Sequence, residues 1–130
     1  MNLESPKVTV EKPAQYLFNA LSDVKNFEKL MPESIAKFEV LEGNSFIFGL
    51  NGMPEIKLAI KEQIPSSKLV LGSTSDKLSF TLIALIDAIS EESSAVQLHF
   101  EGEFNAMMAM MIKGPITKFM DTLVNNMHKL

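Results

Sequence analysis

The chain contains no cysteine and no arginine. Without cysteine there is no disulfide, no thiolate zinc centre and no cysteine nucleophile. Without arginine, all twelve basic side chains are lysines, and nothing offers the bidentate fork that binds phosphate or carboxylate. The two histidines have no third ligand at metal-site spacing, so no metal is expected. There is no nucleophile elbow, phosphate loop or dinucleotide fingerprint, and no nucleotide or other cofactor is expected. The formal charge of −4 disfavours nucleic acid and anionic membrane surfaces as partners. The longest apolar run, around Ala106 to Ile112, is far short of a transmembrane segment. The opening MNLESPKVTV has neither the basic start nor the long apolar stretch of a signal peptide, which makes a cytoplasmic protein the expectation.

What is present suits one folded unit. The 130 residues, 46% of them apolar, allow a single domain over 1–130 with a real core. Residues 3–11 alternate around Val8 and Val10 as a strand. Pro13 opens a short helix with Tyr16, Leu17, Ala20 and Leu21 as its apolar stripe. Asp23 caps a second short helix, Val24 to Leu30, which Met31-Pro32 ends. The period then shortens. Strands are expected over Ile35–Leu41, through Phe46, Phe48 and Leu50, over Ile56–Lys61, Lys68–Thr74 and Leu78–Ile89, and through Val96, Leu98 and Phe100. Glu42-Gly43-Asn44, Asn51-Gly52 and Ser75-Asp76-Lys77 read as turns.

The period changes again at Phe104, and the chain ends in one long helix. Asn105 is placed as its N-cap. At 100° per residue Ile112, Ile116, Phe119, Leu123 and Met127 share one side, with Lys118, Asp121, Asn125 and Lys129 on the other. Met107, Met108, Met110 and Met111 point nearly all round the axis. Some of them must meet a second surface, either loops of the same chain or the partner in a homodimer. Gly114-Pro115 removes one helical hydrogen bond and predicts a bend or break there. A curled antiparallel sheet with one apolar face must be covered, and this helix is the one large cover available. The fold class is therefore α+β: a curved seven-stranded antiparallel sheet around a long C-terminal helix, with two short helices after the first strand.

This arrangement resembles the helix-grip fold of the START, Bet v 1 and polyketide-cyclase-like (SRPBCC) superfamily over essentially the whole chain. The residues that carry the likeness are Tyr16-Leu17-Phe18-Asn19-Ala20-Leu21-Ser22-Asp23, then Asn26-Phe27 and Leu30-Met31-Pro32, and finally Gly114-Pro115 followed by Phe119. The resemblance implies a cavity between helix and sheet that holds a lipid, isoprenoid, polyketide or other small apolar molecule. It leaves three roles open. One is a binding or transport protein. Another is an enzyme of the cyclase, isomerase or hydrolase kind. The third is an accessory subunit docking a partner protein, since a carbon-monoxide-dehydrogenase accessory family shares the fold.

The inward positions predict the ligand-lining residues: Phe46, Phe48, Ile56, Leu58, Phe80, Leu82, Leu98, Phe100, Met111, Ile112, Phe119 and Leu123. Ionisable candidates have plain structural readings. His99 and Glu101 alternate outward from Leu98 and Phe100 and suit a solvated face. Asp87 ends an apolar run and reads as a strand end meeting solvent rather than a general base. Asp23 is explained by capping, and His128 by the negative end of the helix. No catalytic residue is assigned.

Overall fold

The computed structural model describes residues 1–33, 35–42, 44–50, 55–74 and 79–130. Eight strands are described: β1 (Asn2–Glu4), β2 (Val8–Val10), β3 (Lys37–Leu41), β4 (Ser45–Gly49), β5 (Ile56–Ile64), β6 (Lys68–Ser73), β7 (Phe80–Ala88) and β8 (Ser94–Gly102). All pairings are antiparallel, in the order β1-β8-β7-β6-β5-β4-β3, with β2 also on β8. The sheet is curved, and helix α2 (Ala106–Asn125) covers its apolar face. The short helices between β2 and β3 are α1 (Ala14–Leu21) and a 3₁₀ helix, Val24–Leu30. This is the expected helix-grip α+β architecture.

The differences from expectation are local and have physical reasons. The first strand is split into β1 and β2 at Ser5-Pro6-Lys7, because Pro6 has no N–H to give the ladder. Ser5 repairs the gap: its N–H donates to Leu98 O at 2.9 Å, and its Oγ accepts from Leu98 N at 2.9 Å. Tyr16 is 49% exposed, with the Lys12 ammonium 5.1 Å from its ring centroid, and is not part of the α1 stripe. Ala14, Leu17, Phe18 and Leu21 form that stripe, at the i, i+3, i+4, i+7 spacing of one helical face. β5 runs three residues beyond the expected Lys61, with a bulge between Ile60 and Glu62 where the register with β6 shifts. Asn44 takes a left-handed φ of 56°, as the turn before β4 requires. The Asn51-Gly52 and Ser75-Asp76-Lys77 turns, and Leu78 as a strand start, lie outside the described residues.

The caps stand where the residue types place them. Asp23 accepts from Lys25 N at 3.1 Å, and Asn105 accepts from Met108 N at 2.8 Å. α2 runs through Pro115 without a break and ends at Asn125, not Leu130. A 3₁₀ turn over Met127–Lys129 follows it. The two halves of α2 are held unequally. Ile116, Phe119, Met120, Leu123 and Val124 are buried after Gly114, whereas only Ile112 is fully buried before it. Asn126 just beyond the helix donates to Leu30 O at 3.0 Å, tying the C-terminal end to the 3₁₀ helix.

Candidate functional site

Alternation puts Phe48 of β4, Leu58 of β5, Phe80 and Leu82 of β7 and Phe100 of β8 on the concave side of the sheet. The 3.6-residue period puts Ile116, Phe119 and Met120 of α2 opposite them. These eight side chains line a seam between sheet and helix. Phe119 lies flat on Phe48, with centroids 4.8 Å apart and planes 4° from parallel. Phe80 and Phe100 meet at 4.8 Å further along, and Phe104 stacks on Phe100 at 6.1 Å where the chain turns into α2. Among the described residues, the wall contains no ionisable and no hydrogen-bonding side chain. Its cavity volume is about 10 Å³, room for a single water at most.

Eleven of the twelve expected lining residues are buried. Phe48, Leu58, Phe80, Leu82, Phe100 and Phe119 meet at the seam. Phe46, Ile56, Leu98, Ile112 and Leu123 are buried in the core outside it. Phe46, for instance, stacks on Phe27 at 5.0 Å beneath the 3₁₀ helix. Met111 is the exception: it is 63% exposed and faces away from the sheet. The seam also includes two residues outside the expected set, Ile116 and Met120. Ile116 stood on the apolar side of the helix, and Met120 is its i+4 neighbour, so the helical period carried the signal for both.

The ionisable candidates among the described residues lie away from the seam. Asp87 is exposed and pairs with Lys7 at 3.1 Å, as a strand end in solvent should. His99 and Glu101 face outward. His99 Nδ1 is 3.6 Å from Glu4 Oε1, while its Nε2 is buried without a hydrogen-bond partner among the described residues. His128 is exposed, its Nδ1 2.9 Å from Asn125 O. Among the described residues no group of three potential ligands is placed to hold a metal, and no helix is long and apolar enough to cross a membrane.

A larger depression of about 890 Å³ lies over the outer side of the sheet, where Gly72, Thr81 and Glu101 are cross-strand neighbours. It is open to solvent, and its lining is mixed, with Lys61, Glu101 and Glu103 beside Met1 and Phe80. An apolar molecule gains little there, so the seam is the better candidate despite its small volume.

No family model and no curated protein matches the chain. Solved structures do. Norcoclaurine synthase from Thalictrum flavum superposes with a TM-score of 0.77 at 12% identity, over 99% of this chain and 84% of that one. The same enzyme in complex with dopamine and hydroxybenzaldehyde gives 0.74 at 12% identity, with the same coverage. A Streptomyces aromatase/cyclase gives 0.72 at 13% identity, over 99% of this chain and 92% of its own. At such identities the likeness is one of fold: the chain shares the helix-grip fold of these proteins.

Proposed function

We propose that the protein binds a small apolar molecule, of the lipid, isoprenoid or polyketide-like class, in the seam between the sheet and α2. The observation that carries this reading is the wall itself: among the described residues it has eight apolar side chains and no group able to move a proton. A cyclase, isomerase or hydrolase needs at least one positioned acid or base beside the reacting atoms. An all-apolar wall suits binding and release. Enzyme neighbours such as norcoclaurine synthase share the scaffold, and the scaffold alone does not select their chemistry.

A seam of about 10 Å³ must widen to accept such a guest. The first half of α2 is the wall best suited to move, because Ile112 is its sole fully buried residue and Pro115 withholds a hydrogen bond from the turn at Met111. Burying about 300 Å² of ligand surface would contribute about 7 kcal/mol before association costs. The free energy of opening subtracts from this, and the apparent affinity scales with the population of the open, binding-competent state. The test is thermal unfolding with fatty acids, isoprenoid alcohols and aromatic polyketides, alongside native mass spectrometry of the purified protein. A concentration-dependent rise in Tm with one class is expected. If all three classes leave Tm unchanged and nothing apolar is carried through purification, the reading fails.

A further inference from the structure

We propose that the protein self-associates through the open edge of β3, which pairs antiparallel with β3 of a second copy about a two-fold axis at Phe38. The sheet ends at β3, and among the described residues no strand lies beyond it. One row of its backbone N–H and C=O groups therefore has no ladder partner. The two ends of the sheet differ. At the other end β1 and β2 are three residues each and are separated at Pro6, which blunts that edge. β3 has no such protection. It is five residues long, contains no proline and pairs with β4 at each position without a bulge. It also carries Val40, an apolar side chain that is 39% exposed.

The side chains of β3 select a second copy as the occupant. Phe38 and Val40 lie opposite the buried Phe48 and Phe46 on the concave face, so the exposed Lys37 and Glu39 lie on the outer face. A two-fold axis normal to the sheet keeps both concave faces on the same side. With the axis at Phe38, Lys37 of each copy stands opposite Glu39 of the other, Phe38 meets Phe38, and Ala36 meets Val40. An axis at Lys37 or at Glu39 would set like charges directly opposite, which is unfavourable. The Lys-Phe-Glu run is thus its own complement in one register. Lys37 already bonds Glu55 at 3.1 Å, but its ammonium has further donor hydrogens for Glu39 of the second copy. The −4 charge of each copy acts at longer range and is screened beyond about 8 Å at physiological salt. The backbone ladder holds the strands and the ion pairs fix the register. Such a contact is smaller than the roughly 800 Å² per partner of a stable interface, so a weak dimer is expected, with Kd of about 0.1–1 mM.

The experiment is sedimentation equilibrium of the full chain from about 10 μM to about 2 mM. A reversible monomer–dimer equilibrium is expected. Lys37→Glu and Glu39→Lys should each weaken it at least tenfold with an unchanged circular dichroism spectrum, because each sets like charges opposite in the dimer. An equimolar mixture of these two variants should associate as tightly as the parent to within a few-fold, since every facing pair is then of opposite sign. The double variant Lys37→Glu with Glu39→Lys should also recover. If Lys37→Glu does not fold beside Glu55, the loss in Glu39→Lys alone still tests the register. Met110→Ser, on the exposed face of α2, should associate as the parent does. A monomer at every concentration, a dimer indifferent to the β3 charges, no association in the mixture of two folded variants, or a dimer abolished by Met110→Ser would each overturn the proposal.

Discussion

Phe119→Ala and Met110→Ala put the same question to opposite faces of one helix. Phe119 is 4% exposed and stacked on Phe48, whereas Met110 is 83% exposed. Truncating a buried phenylalanine costs about 3–5 kcal/mol, from lost transfer free energy plus the void left behind. That is a large part of the roughly 5–15 kcal/mol that holds a domain together. At about 3–5 °C per kcal/mol for a chain of this size, Tm should fall by about 10–20 °C. Truncating Met110 should change stability by less than about 0.5 kcal/mol. The size of the first effect also reports on the seam. If sheet and helix close up, the loss sits at the low end. If they hold their spacing, an apolar void adds to the seam, stays dry and becomes a site for benzene or toluene. Ligand at ten times its Kd would then restore about 1.4 kcal/mol. Urea unfolding of both variants, with and without toluene, checks this. A loss below about 1 kcal/mol for Phe119→Ala, or losses that are equal for the two variants, would show that the seam is not packed as described.

Gly114→Ala adds a methyl group where nothing lies within 4 Å. It should change stability by about 1 kcal/mol or less, because the helical gain over glycine is offset by crowding against Pro115. It should also slow ligand release in stopped flow by stiffening the joint in α2. Gly102→Ala should be costly, since a Cβ there would meet the Phe104 ring at 2.6 Å and Phe80 Cβ at 3.0 Å. Hydrogen exchange of Met107 to Met111 should quicken as Phe104 is pushed off Phe100, and unchanged exchange would refute the linkage. The Glu55 carboxylate, 3.1 Å from Lys37, holds that ammonium above its ordinary value of 10.5, first by hydrogen bond and then by charge, with a smaller contribution from Glu39. Because the folded value is raised, the stabilisation is complete below the unfolded pKa and is lost as pH rises through the folded one. The pair is exposed, so its share of stability is small. Glu55→Gln should lower the Lys37 titration midpoint by NMR while leaving the urea midpoint at pH 7 nearly unchanged.

Much of this fold was legible residue by residue because side-chain direction has a short period. Alternation alone placed Phe48, Leu58, Leu82 and Phe100 inward, and the 3.6 period placed Ile112, Phe119 and Leu123 on the covered side of the helix. Caps are equally local: Asp23 and Asn105 satisfy nearby backbone N–H groups, so the residue type at the boundary was enough to find them. The orientation of Met111 was not local. A helix rolls as one body, and the roll of α2 is set by Phe119 on Phe48 and by Asn126 on Leu30, several turns away, which leaves Met111 outward. Tyr16 shows the same on α1, where its exposure follows from burial of Phe18 two residues on. The width of the seam was also beyond the pattern. Sheet curvature and the stacking of Phe48, Phe80, Phe100 and Phe119 decide whether an apolar interior holds a guest or closes to about 10 Å³. By itself the sequence determined which faces are apolar, because that depends on neighbours a few residues apart. Only the tertiary structure decided how far apart those faces stand, because that distance is the sum of contacts made by every strand and the helix together.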